Sequence, residues 1–227
     1  MRPGTVVRHR AIGSDLRALA AARGTGRVLD VGGYDGSTAT SFCELASRLV
    51  VLDVDGDGLR TASARGLVSL LGSARAIPLA AASVDLALCC DVLPCLSAAD
   101  ARGVYPEIRR VMTSGGRLLV TEVDTDFTLP FVDRATAFAQ WHVQTGGFSY
   151  DQLQRLLGAA GLSVVEHRMF YGWPTRLAYT VLFFWGWPRR GARAKQRLWR
   201  SIAGIERHWC PRPQAHLIVA AVAGEGG

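Results

Sequence analysis

The strongest constraint on the fold of this chain is an alternation between short apolar runs and helical patterns along its 227 residues. Such an alternation is typical of βαβ units, in which parallel strands are joined by helices that pack on the sheet. The apolar runs predict seven strands, near residues 27–31, 49–53, 67–71, 84–89, 117–122, 163–169 and 216–223. We therefore expect an α/β protein with a doubly wound, mostly parallel sheet and helices on both of its faces.

Two of the predicted helices have their own start and stop signals. Ser97 and Asp100 form an S-x-x-D capping pattern before an apolar periodicity, and Gly115 is expected to end that helix. Asp151 is expected to open a second helix, which Gly161 ends. Both helices lie between predicted strands, as the alternation requires.

A glycine-rich loop follows the first predicted strand. In the sequence VLDVGGYDG, Asp30 is followed by Gly32, Gly33 and Gly36, and a helix start comes next. Such a loop brings bare backbone and a helix N-terminus close to a ligand. A dinucleotide fingerprint is excluded, because neither Gly32 nor Gly33 begins a run with glycine at its first, third and sixth positions. A P-loop is also excluded, because the only lysine is Lys195.

The D-x-G-x-x-x-G spacing of this loop resembles motif I of class I S-adenosylmethionine-dependent methyltransferases, whose usual form is D-x-G-x-G-x-G. The resemblance implies that Asp30 orients the loop and the methionyl end of the cofactor. It also implies that the backbone at Gly32, Gly33 and Gly36 approaches the cofactor. Tyr34 replaces the middle glycine of the motif, so its side chain must either point away from the cofactor or cover it. The alternative is a tight strand-to-helix turn without a ligand.

Later segments resemble other motifs of this family in the same order. LVVLDVDGDGL resembles motif II, which implies that Asp53 accepts both ribose hydroxyls and that Val54 lies against the adenine. In GSARAIPL, Ser73 stands where the family usually has an adenine-binding aspartate, and Ala74 supplies a backbone amide. Cys90, at the end of the fourth strand, is placed beside the cofactor by the same resemblance. RRVMTSGGRLLVTE resembles the family segment that leads to the fifth strand. S-adenosyl-L-methionine is thus the implied cofactor, and S-adenosyl-L-homocysteine the implied product.

The resemblance also implies the organisation of the chain. We expect one methyltransferase domain over residues 1–227, with a Rossmann-like seven-stranded sheet whose last strand is antiparallel. Two connections are longer than ordinary loops and are expected to carry function or local structure. They are an acceptor lid near residues 123–148 and a helical insertion near 171–215.

Candidate catalytic residues follow the fourth and fifth strands, where an acceptor would lie in a doubly wound fold. Asp91 and Asp124 are expected at this rim, and His142 in the lid is the preferred general base because imidazole titrates near neutrality. A packing or surface role for His142 is the alternative. Asp91, Asp124 and Asp126 are similar to the magnesium-binding carboxylates of some catechol methyltransferases, but the asparagine beside the later carboxylate is missing, so we predict no metal. His167 is expected to be a structural residue inside a strand.

The resemblance implies methyl transfer to a small molecule, with oxygen as the expected acceptor atom, in biosynthetic or specialised metabolism. The aromatic residues of the lid and of the late insertion favour an apolar or aromatic acceptor. Two alternatives stay open. One is an enzyme of the same fold that catalyses a reaction without methyl transfer, such as a cyclisation, and the other is a membrane- or RNA-docking module with a vestigial cofactor site.

The charge distribution argues against a nucleic-acid partner. Six of the 26 basic residues lie in residues 189–200, which contain no acid, and the rest of the chain is nearly balanced, with 20 basic against 19 acidic residues. The apolar stretch 177–187 precedes this basic, amphipathic segment, so weak contact with a membrane surface through 177–200 is one expectation and an ordinary helical cap is the other. Scattered, odd-numbered cysteines and the lack of a targeting or membrane-spanning pattern predict a cytoplasmic protein.

Overall fold

Seven strands form a single sheet in the order β3-β2-β1-β4-β5-β7-β6. The structure is a computed structural model, and it describes residues 26–38, 49–124, 147–170, 201 and 215–222. The seven predicted strands are confirmed, because each coincides with an observed strand. The strands are β1 (Val28–Val31), β2 (Leu49–Asp53), β3 (Val68–Leu71), β4 (Val84–Cys90), β5 (Met112–Val123), β6 (Leu162–Phe170) and β7 (Ala215–Val222).

The pairing of the strands confirms the predicted Rossmann-like sheet with an antiparallel last strand. β1 pairs in parallel with β2 and with β4, and β2–β3 and β4–β5 are also parallel. β7 lies between β5 and β6 and is antiparallel to both. The chain runs outward from β1 to β3 and then returns to place β4 on the other side of β1. This reversal of strand order forms a crevice at the carboxyl ends of β1 and β4, where ligands bind in such sheets.

Four described α-helices and one short 3-10 helix join the strands. Asp55 caps the first helix, Ser97 caps the second, and a complete capping box between Ser149 and Gln152 begins the fourth. The cap that Ser97 was predicted to form is confirmed, because its side chain accepts a hydrogen bond from Asp100 N–H. The helices are α1 (Gly56–Ala64), the 3-10 helix (Leu93–Cys95), α2 (Ala98–Ala101), α3 (Val104–Val111) and α4 (Tyr150–Ala159).

Helix boundaries differ from the prediction in two places. The helix expected to run from Ser97 to Gly115 is two helices, and the second ends where Met112 begins β5. Met112 pairs with Val84 and Arg117 with Leu86, so Gly115 lies in an irregularity of the strand rather than at a helix end. The fourth helix begins after Ser149 instead of at Asp151, because the capping box satisfies its first backbone N–H groups.

Apolar side chains pack helices onto both faces of the sheet. On one face α3 and α4 supply buried residues such as Ile108 and Leu153, and on the other α1 contributes Leu59. Each such leucine or isoleucine contributes roughly 1.5–3 kcal/mol when fully buried.

The predicted helix after the glycine loop and most of the lid and late insertion lie outside the described residues, so the single-domain organisation stays a prediction. Within the described part of the chain, no helix is long and apolar enough to cross a membrane.

Candidate active site

The glycine-rich loop lies at the carboxyl end of β1, beside the ends of β2 and β4. Gly32 and Gly36 both have φ +68°, a left-handed conformation that favours glycine. A Cβ added to Gly32 would lie 2.6 Å from Val92 Cγ2, and one added to Gly33 would lie 2.6 Å from Asp30 Oδ2. The buried Asp30 side chain therefore lies directly against the loop backbone, and the glycines permit an approach that larger residues would prevent.

Backbone and carboxylate contacts fix the loop against β2. Gly32 N–H and Gly33 N–H both donate to the carbonyl oxygen of Leu52, at 2.8 and 3.2 Å. Tyr34 N–H donates to Asp53 Oδ2 at 2.8 Å, and Asp55 N–H donates to Asp53 Oδ1 at 2.9 Å. Each oxygen of an ionised carboxylate accepts more than one hydrogen bond. The half-buried Asp53 is thus held in a fixed orientation and retains acceptor capacity for hydroxyl groups.

Tyr34 occupies the position of the expected middle glycine with φ +50°. Its ring lies against the first turn of α1, where a Cβ added to Gly58 would be 2.6 Å from Tyr34 Cδ2 and 2.8 Å from Cε2. The tyrosine ring therefore requires a glycine at position 58. Sequence reasoning missed Gly58, and the only signal was a glycine shortly after the second predicted strand.

A second carboxylate closes the far end of the loop. Asp35 Oδ1 accepts hydrogen bonds from the backbone and hydroxyl of Ser37, and Asp35 Oδ2 lies 3.3 Å from Arg65 Nη1. Burial alone would raise the pKa of Asp35, but these hydrogen bonds and the guanidinium charge hold it below its ordinary value. The loop is therefore held by one carboxylate at Tyr34 and by another at Ser37.

The remaining residues predicted to bind the cofactor lie near the same edge of the sheet. Val54 follows β2 and is 72% exposed, which leaves an apolar surface for a flat ring. Ser73 and Ala74 lie in the turn after β3, where Ser73 Oγ accepts a hydrogen bond from Arg75 N–H at 3.2 Å. Cys90 is the buried last residue of β4. The structure brings these positions to one edge, and their roles stay predictions.

The end of β4 is linked to β5 by polar contacts. Asp91 has φ +54°, its N–H donates to the Thr121 carbonyl at 2.8 Å, and its Oδ1 accepts from the Thr121 hydroxyl at 3.4 Å. The fully buried Glu122 accepts a hydrogen bond from Leu93 N–H at 3.2 Å. Burial and the charge of Glu122 raise the pKa of the Cys89 thiol. Sequence reasoning missed Glu122, a carboxylate near the end of β5 that follows the buried apolar residues 118–120.

Asp124 follows β5 and belongs to a cluster with two histidines. Its Oδ1 lies 3.4 Å from His216 Nε2, and His216 Nδ1 lies 3.1 Å from His167 Nε2. The ring of Tyr150 stacks on His167, with 3.8 Å between the ring centroids. His216 was not predicted as a site residue, and His142 lies outside the described residues. Among the described residues, no group of three histidine, cysteine or carboxylate side chains has the arrangement of a metal site.

Comparison with known proteins finds one matching domain model. Residues 29–120 match a family model described as a methyltransferase domain. This segment begins within β1 and ends within β5, so it contains the glycine loop, Asp53 and the β4 edge. Among curated proteins, no sequence matches the chain.

Solved structures share the whole fold at low sequence identity. A SAM-dependent methyltransferase from Archaeoglobus fulgidus is 12% identical, with a TM-score of 0.65 and coverage of 93% of each chain. The geranyl diphosphate C-methyltransferase of Streptomyces coelicolor is 14% identical, with a TM-score of 0.64 over 94% of this chain and 80% of that one. The 4+2 cyclase SpnF is 20% identical, with a TM-score of 0.61 over 92% and 80%.

The match to the methyltransferase domain model covers residues 29–120, and the sheet has the same fold as solved SAM-dependent methyltransferases such as that of Archaeoglobus fulgidus. The residues at the crevice would fit S-adenosylmethionine, because a glycine backbone, a fixed carboxylate and an exposed valine lie together there.

Proposed function

We propose that this protein uses S-adenosyl-L-methionine to methylate a small-molecule acceptor and releases S-adenosyl-L-homocysteine. The observation that carries the proposal is the contact between Tyr34 N–H and Asp53 Oδ2. This contact joins the glycine loop to the carboxylate that the family uses for the ribose, so both parts of a nucleoside site are held before a ligand binds.

The cofactor would be held by residues of three strand ends. Asp30 and the backbone at Gly32, Gly33 and Gly36 would position its methionyl part, as the buried Asp30 lies against that backbone. Asp53 would accept hydrogen bonds from the ribose hydroxyls. The other residues proposed to line this site are Tyr34, Val54, Ser73, Ala74 and Cys90.

When bound, the cofactor supplies an electrophilic methyl group on a sulfonium. The main work of the protein is then to align the acceptor with that group and to exclude water. The acceptor would lie over the carboxyl ends of β4 and β5, beside Asp91 and Asp124. His142 remains the candidate base proposed from the sequence.

The acceptor atom is proposed to be oxygen, and the acceptor an apolar or aromatic molecule of biosynthetic or specialised metabolism. Support comes from the aromatic composition of residues 123–148 and from the small-molecule substrate named for the geranyl diphosphate methyltransferase. That neighbour methylates carbon, so the experiment must identify the atom as well as the acceptor.

A mass-shift screen tests the proposal. The full chain is incubated with S-adenosylmethionine that carries a trideuterated methyl group and with a panel of phenols, alcohols and carboxylic acids. We expect one acceptor to gain a single labelled methyl group. An equal amount of S-adenosylhomocysteine should be released. The Asp57→Ala variant is the matched control for Asp53→Ala, because Asp57 is an exposed carboxylate of α1 outside the proposed site. Failure of the chain to bind S-adenosylmethionine would contradict the proposal.

A second candidate function is a cyclisation that uses the same site without methyl transfer. It is favoured by one observation, the structural similarity to a cyclase over 92% of this chain. A product of unchanged mass and no release of S-adenosylhomocysteine would support it. The docking-module alternative predicts instead that binding to RNA or to anionic vesicles weakens steeply with salt.

A further inference from the structure

Glu122 is a carboxyl group in the core of the sheet. It is fully buried in β5 and directly follows the equally buried strand residues 118–121. Burying a polar group costs free energy unless the group is hydrogen-bonded. One oxygen of Glu122 accepts a hydrogen bond from Leu93 N–H at 3.2 Å. This bond reaches from β5 to the segment that follows β4, and an apolar side chain could not form it.

The sequence VLPC explains why Leu93 N–H needs an acceptor from another part of the chain. Leu93 is the first residue of the 3-10 helix, and the first N–H groups of a helix have no partner within it. A serine or aspartate at the N-cap would accept from such groups, but the N-cap residue is Val92. Pro94 has no N–H, and Cys95 N–H donates to the Val92 carbonyl at 3.1 Å. Leu93 N–H is the donor that remains, and Glu122 accepts from it.

The preceding residue of β5 holds the start of the same segment. Asp91 N–H donates to the Thr121 carbonyl at 2.8 Å, and the Thr121 hydroxyl donates to Asp91 Oδ1 at 3.4 Å. Successive side chains of a strand point to opposite faces of the sheet, so Thr121 and Glu122 reach the segment from two sides. We call these two residues the β5 clamp. Val92 lies between Asp91 and Leu93, the two residues that the β5 clamp holds.

Val92 packs on the glycine loop. A Cβ added to Gly32 would lie 2.6 Å from Val92 Cγ2, so the valine side chain lies directly against the loop backbone. Gly32 has φ +68°, and its backbone is part of the proposed cofactor site. The glycine loop is thus bordered by a residue whose position depends on the β5 clamp.

The thiol of Cys95 indicates how the segment lies relative to two carboxylates. Burial raises the pKa of this thiol, and the charges of Glu122 and Asp53 act in the same direction. Glu122 belongs to the core, whereas Asp53 belongs to the proposed ribose site. The segment therefore lies near both the β5 clamp and the cofactor residues.

We propose that Glu122 is a positioning residue, which through its bond to Leu93 holds Val92 against the glycine loop and Asp91 at the acceptor rim. The proposal rests on the proposed function, because it links the cofactor and acceptor parts of that site. As a fully buried residue, Glu122 acts only through its neighbours.

Two substitutions of Glu122 separate its hydrogen bond from its packing. Glu122→Gln keeps the shape and an acceptor oxygen, whereas Glu122→Met keeps an unbranched chain without a strong acceptor. NMR of the full chain without ligand measures hydrogen exchange at the Leu93 amide. We expect faster exchange in Glu122→Met and wild-type exchange in Glu122→Gln. Wild-type exchange in both variants would overturn the proposal.

Calorimetry with S-adenosylhomocysteine measures the consequence for the cofactor site. Glu122→Met should lower the affinity at least about fivefold, and Glu122→Gln should restore most of it. Ile108→Val is the matched control, because it trims a buried residue of α3 and leaves the β5 clamp intact. Equal losses of affinity in Ile108→Val and Glu122→Met would assign the effect to core packing and overturn the proposal.

Steady-state kinetics measures the consequence for the acceptor side. With the acceptor found by the mass-shift screen, Glu122→Met should lower kcat/KM by up to about 10², because small displacements of reacting groups have effects of this size. Glu122→Gln should restore kcat/KM, and Ile108→Val should leave it unchanged. Unchanged kcat/KM in Glu122→Met would overturn the proposal.

Val92→Ala tests the same link without altering the buried carboxyl group, and it keeps the test decisive if Glu122→Met fails to fold. Loss of the methyl groups that pack on Gly32 should lower the affinity for S-adenosylhomocysteine. Glu122→Met should add little to that loss, because both changes act through Val92. Wild-type affinity in Val92→Ala, or full additivity of the two changes, would overturn the proposal.

The two readouts separate failure of this proposal from failure of the proposed function. Absence of S-adenosylhomocysteine binding by the wild type would contradict both. Wild-type binding that Glu122→Met leaves unchanged would contradict only the role of Glu122.

Discussion

The two halves of the carboxyl edge of this sheet are built in different ways. On the β1–β2 side, the site residues are close in the chain, and a hydrogen bond from Tyr34 N–H to the Asp53 carboxylate holds them together. On the β5–β7–β6 side, Asp124, His216 and His167 come from separate segments, and the register of the strands brings their side chains into contact. The first half, the glycine loop and Asp53, forms the cradle that we propose holds the cofactor. The second half borders the proposed acceptor position through Asp124.

The largest loss of stability is expected when a substitution disrupts the glycine loop itself. Gly33→Ala places a Cβ 2.6 Å from Asp30 Oδ2 and 2.7 Å from Val51 Cγ1, both on buried residues. We expect a loss of about 1–3 kcal/mol in the free energy of unfolding, as for other overpacked cores. Urea denaturation measures it. Gly158→Ala is the matched control, because Gly158 lies in α4 with open space around it, so alanine there should stabilise by roughly 0.5–1 kcal/mol.

A smaller effect is expected when the cradle loses its fixed carboxylate. Asp53→Ala removes the acceptor of Tyr34 N–H and the proposed acceptor of the ribose hydroxyls. The affinity for S-adenosylhomocysteine should fall at least about tenfold, which corresponds to ~1.4 kcal/mol. Calorimetry compares it with Asp57→Ala, which should bind as the wild type does. Equal affinity in both variants would remove Asp53 from the site.

The packing of Tyr34 on Gly58 predicts that Gly58→Ala changes the free energy of unfolding in opposite directions in two backgrounds. In the wild type, Gly58→Ala should destabilise the protein because its Cβ would overlap the Tyr34 ring. In a Tyr34→Gly background the same change should stabilise by up to ~1 kcal/mol, because alanine is the better helix former. A double-mutant cycle in urea measures the coupling. Tyr34→Gly alone should leave S-adenosylhomocysteine binding intact or improve it, and loss of binding would show that the tyrosine is part of the site.

The smallest effect concerns the pH dependence of stability. The pKa of His167 is below its ordinary 6.5, because burial and His216 disfavour the charged ring. As the pH falls below that ordinary value, the unfolded chain takes up the proton first, so stability falls. The lowered pKa of Asp35 gives stability that is present above its ordinary 3.8 and is lost as the pH falls below it.

Two variants separate these ranges in urea denaturation at a series of pH values. His167→Gln should flatten the loss that begins below about pH 6.5, and Asp35→Asn should flatten only the loss below about pH 3.8. A variant that flattened both ranges would show that the two halves of the edge are coupled.

The β1–β2 half was predictable because its information is local. The strand, Asp30 and the glycines follow one another, and Asp53 ends the next strand, so spacing alone orders them along the edge. The contact of Tyr34 with Gly58 was not predictable, since a tyrosine with positive φ gives no sign in the sequence of where its ring packs.

The other half depended on information that a pattern of apolar residues does not contain. His167 was placed correctly inside a strand, but its neighbour His216 is 49 residues later. Their meeting requires β7 to be antiparallel to β6 and to pair in one particular register, with an irregularity between Val164 and Glu166. Likewise, β5 begins at Met112 because pairing with Val84 overrides the expected helix end at Gly115. The pairing of distant strands therefore determined the contact between the two histidines and the start of β5, which local sequence patterns do not specify.

The nature of the ligand at the glycine loop decides whether the proposed function is correct. A calorimetric titration of the full chain with S-adenosylhomocysteine, and separately with NAD, tests it most directly. We predict saturable binding of S-adenosylhomocysteine at one site per chain and no binding of NAD, because the loop lacks the glycine spacing of a dinucleotide site. Binding of NAD, or no saturable binding of S-adenosylhomocysteine, would contradict the account.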